Sequence, residues 1–178
     1  MNMLTKWLGL EADPVEKMRP LWHKVVGIAR DPSWYAQCKV ADSVDGRFDM
    51  ITGVLCVTLV RLEASDALRG ESAFLTELFV EDMDGQLREF GVNDVVVGKR
   101  MGKLMSVVGG RLGAYRPALN SRDLEKLLGA IERNVSFAEG GSPEMVRDKL
   151  LALADILAAL DDDAVIAADA VALPGMQA

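Results

Sequence analysis

His23 is the single histidine of the chain, so a nucleophile that needed an imidazole base would have to meet it in space. It stands on a stretch with helical periodicity, where a lone histidine reads as a surface or half-buried residue rather than as a base. Glu77, Glu81 and Asp84 share one helical face, as the carboxylates of a di-metal bundle do. That architecture also requires Glu-x-x-His pairs, and this segment has none. Asn93 to Lys99 (Asn-Asp-Val-Val-Val-Gly-Lys) imitates the end of a phosphate loop, but Asn93 stands at the first glycine position and Arg100 follows where Ser or Thr is needed. No Gly-x-Gly-x-x-Gly follows a strand. Cys38 and Cys56 form neither a Cys-x-x-Cys pair nor part of a zinc set, and read as reduced, cytosolic thiols. The expectation is a protein with no catalytic residue, no metal ligands and no cofactor.

Three features survive that screen. Asp82 falls near the middle of the apolar stripe set by Leu75, Leu78, Phe79 and Met83, where a carboxylate must find a partner. Either an arginine of a neighbouring helix, such as Arg100, pairs with it, or it marks a contact surface. Gly98, Gly102, Gly109 and Gly113, with Ser106 between them, line one side of a single helix. Glycine inside a helix costs ~1 kcal/mol relative to alanine, so something should approach that backbone closely. A neighbouring helix of the same fold is one answer, and a partner's helix, including a transmembrane one, is the other. Lys99, Arg100 and Lys103 cluster on a side of this same helix, with Arg111 further along. They form either a solvated basic face or a patch for ribosomal RNA or anionic lipid.

These residues need helices to position them, and the punctuation supplies helices. Asp13-Pro14 and Ser142-Pro143 each place a capping residue before a proline suited to the first helical position. The first helix is expected from Pro14 to Asp31 with a kink at Pro20, the next from Arg47 to Glu63, buried on most sides, and then one from Glu71 to Phe90 that stops at Gly91. The glycine-bearing helix starts at Asn93 or Asp94 and is expected to end at Arg116, before Pro117; Arg122–Val135 and Pro143–Leu160 complete the set. Alternating strand patterns are nearly absent. The fold class is therefore all-α, a single compact domain of about six or seven helices in an irregular bundle over 14–160. Residues 1–13 are expected to be a flexible N-terminal segment, and 161–178 a loosely docked or extended tail.

The chain has 178 residues, half of them apolar, with 27 acidic against 20 basic residues and a net charge of −7. That balance supports a packed core and argues against a general nucleic-acid binder, DNA included. The uncharged stretch Met50 to Val60 is too short to cross a bilayer, and the first ten residues resemble no signal peptide. The expected address is the cytoplasm. Trp7-Leu8-Gly9-Leu10 could supply a weak interfacial anchor, against the plainer reading of a frayed terminus.

The order of motifs resembles the ubiquinol-cytochrome c chaperone family, assembly factors for cytochrome b of respiratory complex III. The likeness rests on Ala41-Asp42-Ser43-Val44-Asp45-Gly46-Arg47-Phe48-Asp49-Met50, on Arg61-Leu62, on Phe79-Val80-Glu81-Asp82-Met83-Asp84, on Leu87-Arg88-Glu89-Phe90-Gly91-Val92 and on Val97-Gly98-Lys99. Gly110-Arg111 and Tyr115 continue it, and it covers most of Pro14 to Leu119. The resemblance implies a helical, non-enzymatic chaperone that engages newly made cytochrome b at the membrane and holds it for haem insertion and assembly. In mitochondria the family works with a small partner protein beside the ribosomal tunnel exit. Asp82, Asp84, Arg88, Gly98, Lys99 and Arg111 coincide with the family's motif, as contacts for a partner or as the architecture beneath them. Arg100 and Lys103 join them as candidates through the basic face. Where the family commonly carries a histidine this chain has Val54, so any haem-related role of that histidine does not carry over.

The implied partners are cytochrome b as client, a ribosome or anionic membrane surface, and a small partner protein; the implied location is peripheral, at the inner face of the membrane. Two rival classes stay open. One is a helical bundle with a pocket for quinone, haem or lipid, for which only His23, the methionines and the cysteines offer an axial haem ligand. The other is an enzyme with a carboxylate site at Glu77, Glu81, Asp82 and Asp84.

Overall fold

Helix starts are written locally, as an oxygen-bearing side chain just ahead of the first turn. Asp13 accepts a hydrogen bond from the Val15 N–H, Ser43 from Gly46, Asp123 from Lys126, Ser142 from Met145 and Asp161 from Ala164. Each satisfies a donor that the first turn leaves unpaired. The computed structural model describes residues 13–89, 94–168 and 171, with the side chains of 87–89, 94–97, 99 and 100 outside that description. Residues 1–12 and 172–178, expected as a flexible segment and part of the tail, lie outside it, as do Gly91 and Asn93.

In chain order the helices are α1 (Pro14–Lys17), α2 (Arg19–Ala29), α3 (Pro32–Ala36), α4 (Val44–Glu63), α5 (Glu71–Glu89), α6 (Asp94–Ser121), α7 (Leu124–Asn134), α8 (Pro143–Ala159) and α9 (Asp162–Ala167). No strand occurs among the described residues; Val40 and Phe137 form one isolated antiparallel bridge. The fold is all-α, six longer helices with three short pieces.

α4 is the axis of the bundle. Every residue from Asp49 to Leu59 is buried, because α2, α5, α6 and α8 all pack on it. That explains why its apolar residues fill nearly every position instead of one stripe. At Gly46 an added Cβ would lie 1.9 Å from the Ala41 carbonyl oxygen, so the first turn of α4 packs against the preceding loop only with glycine there. Phe79 of α5 reaches the centre, edge-on to Trp22 with ring centroids 6.0 Å apart and tilted against Phe48 at 6.4 Å. The last carbonyls of α2 are taken by aromatic donors: Trp34 Nε1 donates to Ile28 O at 2.7 Å and the Tyr35 hydroxyl to Ala29 O at 3.0 Å.

Three expectations are corrected. The chain breaks at Met18 rather than bending at Pro20, which sits in the first turn of α2, where a missing N–H costs nothing. α6 runs through Pro117 to Ser121 instead of stopping at Arg116. Pro117 itself is exposed while its neighbours Tyr115, Ala118 and Leu119 are buried, so packing of the opposite face outweighs one lost backbone bond. The stretch after Asp161, expected as loosely docked or extended, forms α9 against α2 and buries Val165, Ala168 and Val171. Arg61 secures it: Nε donates to Leu157 O and Nη2 to Leu160 O, each at 2.9 Å, and Nη2 also to Asp162 at 2.8 Å. Ser65 Oγ donates to the other Asp162 oxygen at 2.6 Å.

Candidate functional site

α6 carries most of the residues singled out in the sequence, and its rotation decides what they do. At about 100° per residue, Gly98, Gly102, Ser106, Gly109 and Gly113 fall within an arc of about 80°. All five are exposed. A Cβ added at any of the four glycines would meet nothing within 4 Å. Of the two answers left open by the sequence, a neighbouring helix of the same fold is not found against this stripe among the described residues. The opposite side, through Val108, Arg111, Tyr115, Ala118 and Leu119, is the one turned into the core. Four glycines at ~1 kcal/mol each weaken the helix, and no packing inside the described chain offsets that cost. One edge of the stripe is bordered by half-buried Met101, Met105 and Leu112, the other by exposed Gly110 and Lys103.

Arg111 does not belong to a basic face. It is 8% exposed and ion-paired with Asp49, which is 6% exposed. Its two terminal nitrogens donate to Asp49 Oδ1 and Thr52 Oγ1 of α4, its Cζ stands 5.5 Å from the centre of the Phe48 ring, and its Nε is buried without a partner. The second Asp49 oxygen accepts the Ser136 N–H at 2.9 Å, so one carboxylate joins α4, α6 and the segment after α7. The residue's place is in the architecture beneath the surface, which the resemblance had left open. Asp49 as its partner was missed, although an aspartate amid Phe48, Met50 and Ile51 is the signal that a buried counter-charge is needed.

The remaining candidates divide as follows. Lys103 is exposed and Asp84 half-exposed. Asp82 is half-exposed and makes no ion pair among the described residues, while Leu75, Leu78, Phe79 and Met83 around it are buried; it keeps access to water at the rim of the stripe. Arg88 lies in α5, and Lys99 and Arg100 in α6; their side chains lie outside the described residues, as does any Asp82–Arg100 contact.

The rival chemistries find little to build on. Glu77 is exposed and Glu81 lies 3.5 Å from Arg19; no cluster of possible metal ligands occurs among the described residues. His23 is exposed on α2. Cys38 and Cys56 are buried free thiols, and burial pushes the Cys56 thiol up to about 12. An open cleft of about 140 Å³ between α4, α6 and α8 is lined by Val57, Val60, Arg61, Ala64, Leu119, Asn120, Arg122, Ala154 and Ala158, with no axial haem ligand among them. Both of its arginines are engaged, Arg61 with Asp162 and Arg122 with Asp155. No helix among the described residues is long and apolar enough to cross a membrane.

Comparison with known proteins adds two findings. The profile of the ubiquinol-cytochrome C chaperone family matches residues 36–172. The crystal structure of the Cbp3 homolog from Brucella abortus superposes with a TM-score of 0.79 and 30% sequence identity, covering 94% of each chain. No curated protein matches.

Proposed function

The chain belongs to the ubiquinol-cytochrome C chaperone family, and from that premise we propose that it holds newly made cytochrome b through the outward glycine face of α6 until the client is integrated and assembled into the ubiquinol-cytochrome c reductase complex. The observation that carries this reading is the exposed stripe Gly98, Gly102, Ser106, Gly109, Gly113, which nothing in the described chain covers. Small residues let two helix backbones approach closely, and in apolar helices that contact is driven by van der Waals packing. A cytochrome b segment is a long apolar helix that aggregates in water. The stripe offers it a close backbone contact, and Met101, Met105 and Leu112 along one edge offer adaptable apolar side chains that tolerate different client sequences.

Such a surface holds without trapping, since most of the described α6 face is backbone and carries few groups to bury irreversibly. Lys103 beside the stripe, with Lys99 and Arg100 in the preceding turn, suits a peripheral position at the inner face of the membrane, or beside ribosomal RNA, in a protein that is otherwise acidic. A small partner protein would share the client. Nothing in this mechanism requires catalysis or a cofactor.

The test is genetic. Deleting the gene in its host should selectively deplete cytochrome b while transcripts of the complex III subunits persist. Normal cytochrome b in the deletion strain would overturn the reading.

A further inference from the structure

We propose that the buried Asp49–Arg111 pair fixes the rotation of α6 about its own axis and so keeps the glycine face turned outward, making these two positioning residues for the surface; the inference rests on the client reading above for its functional consequence. Hydrophobic burial sets this rotation only coarsely. α6 carries apolar side chains over a wide arc: Ala114, Val107, Arg111's neighbours Leu104 and Tyr115, then Val108, Leu112 and Met105. Burial is non-directional, so several rotations of this helix would bury similar apolar area. Glycine adds no preference of its own, and on that side only exposed Lys103, Ser106 and Asn120 are anchored in water. The sequence of α6 therefore fixes its rotation only to within the width of the apolar arc.

A directional contact removes that freedom. Arg111 lies about 180° from the middle of the glycine arc at 100° per residue, and along the axis it falls between Gly109 and Gly113. Its guanidinium is held from two directions on α4, by Asp49 Oδ1 and Thr52 Oγ1, while Phe48 lies beside its Cζ. Asp49 is itself held by the Ser136 N–H. Hydrogen bonds weaken steeply off axis, so turning α6 by one residue position would break both contacts and strand a charge in the core. The unpaired, buried Arg111 Nε points the same way: an imperfectly satisfied buried ion pair is a poor device for stability, and register is its best-attested use. Glu63 and Arg116 also join α4 to α6, through two bonds of 2.7 Å, but they are 28% and 41% exposed and share their hold with water.

The experiment uses the full chain with nitroxide labels at Asp45→Cys on α4 and Ser106→Cys on α6; the native thiols are buried. Asp49→Asn with Arg111→Met keeps an acceptor for the Ser136 N–H and the volume of the arginine stem. In that variant the label-to-label distance distribution is expected to broaden or split, with the melting temperature held or raised. Capture of in vitro translated cytochrome b, measured on the unlabelled variant with Ser106 intact, should fall about tenfold if the outward-facing orientation drops to about a tenth of the population. Glu63→Gln with Arg116→Gln should leave the distribution narrow. Arg111→Lys, which keeps the charge and loses the second branch of the fork, should broaden it at near-native melting temperature. An unchanged distribution in both Arg111 variants overturns the proposal, and so does loss of the cooperative melt, which would make the pair a stability element. A broadened distribution with undiminished capture overturns the client surface instead and leaves the pin standing.

Discussion

Replacing Gly102 and Gly109 together by alanine should stabilise the protein and weaken its hold on the client. Both residues are exposed inside α6, and a methyl at either would meet nothing within 4 Å. Alanine therefore gains helix propensity of ~1 kcal/mol at each site without a clash. Two turns separate the sites, about 10 Å along the axis, so the gains add to ~2 kcal/mol. For a domain of this size that is an increase of about 4–8 °C in melting temperature. The client side has the opposite sign. Two glycines in a close helix contact make on the order of 20 atom pairs at 0.1–0.2 kcal/mol each, and a gap of 0.5–1 Å forfeits a quarter to a half of that. The loss is about 1 kcal/mol, or roughly fivefold in affinity, and Gly102→Leu with Gly109→Leu should abolish capture. Thermal denaturation by circular dichroism and pull-down of in vitro translated cytochrome b read the two quantities separately. A higher melting temperature with unchanged capture would refute the client surface. A lower melting temperature would refute the reasoning one step earlier, by showing that part of the fold covers the stripe.

Phe79→Ala removes a fully buried ring packed on Trp22 and Phe48 and should cost about 3–5 kcal/mol in urea denaturation. Hydrogen bonds from Ser65 and Arg61 hold the Asp162 carboxyl below its ordinary value of 3.8, so on acidification the unfolded chain takes up the proton first. The stability advantage of the parent over Asp162→Asn should be complete above that value, shrink as the pH falls below it, and vanish once the pH passes the depressed folded value; a gap that persists at lower pH would refute the assignment. Reversing Lys99, Arg100 and Lys103 to glutamate should reduce co-sedimentation with phosphatidylserine vesicles, at ~1 kcal/mol per basic residue removed, with the circular dichroism spectrum unchanged. Cys38 and Cys56 are buried, with the Cys56 thiol pushed up to about 12, so neither should react with a disulfide reagent at pH 8 until the protein is unfolded.

Sequence by itself determined the helices and most of their ends, because the interactions that start a helix reach only two or three residues. Asp13, Asp123 and Ser142 cap the turns that follow them whatever the rest of the chain does. The crowding of α4 with apolar residues likewise announced a helix covered on several sides, and the ordered motifs from Ala41 to Tyr115 sufficed to suggest the family. Tertiary structure alone decided whether another helix covers the glycine side of α6. Glycine carries no side chain, so a stripe of it reads the same whether a helix of the fold or solvent lies against it. Arg111 looked like part of a basic face because its partner Asp49 stands 62 positions away, beyond anything spacing can show. Pro117 inside α6 and the docking of α9 through Arg61 were hidden for the same reason. In each case a local preference was outweighed by contacts between segments far apart in the chain, and those contacts exist only once the helices have packed.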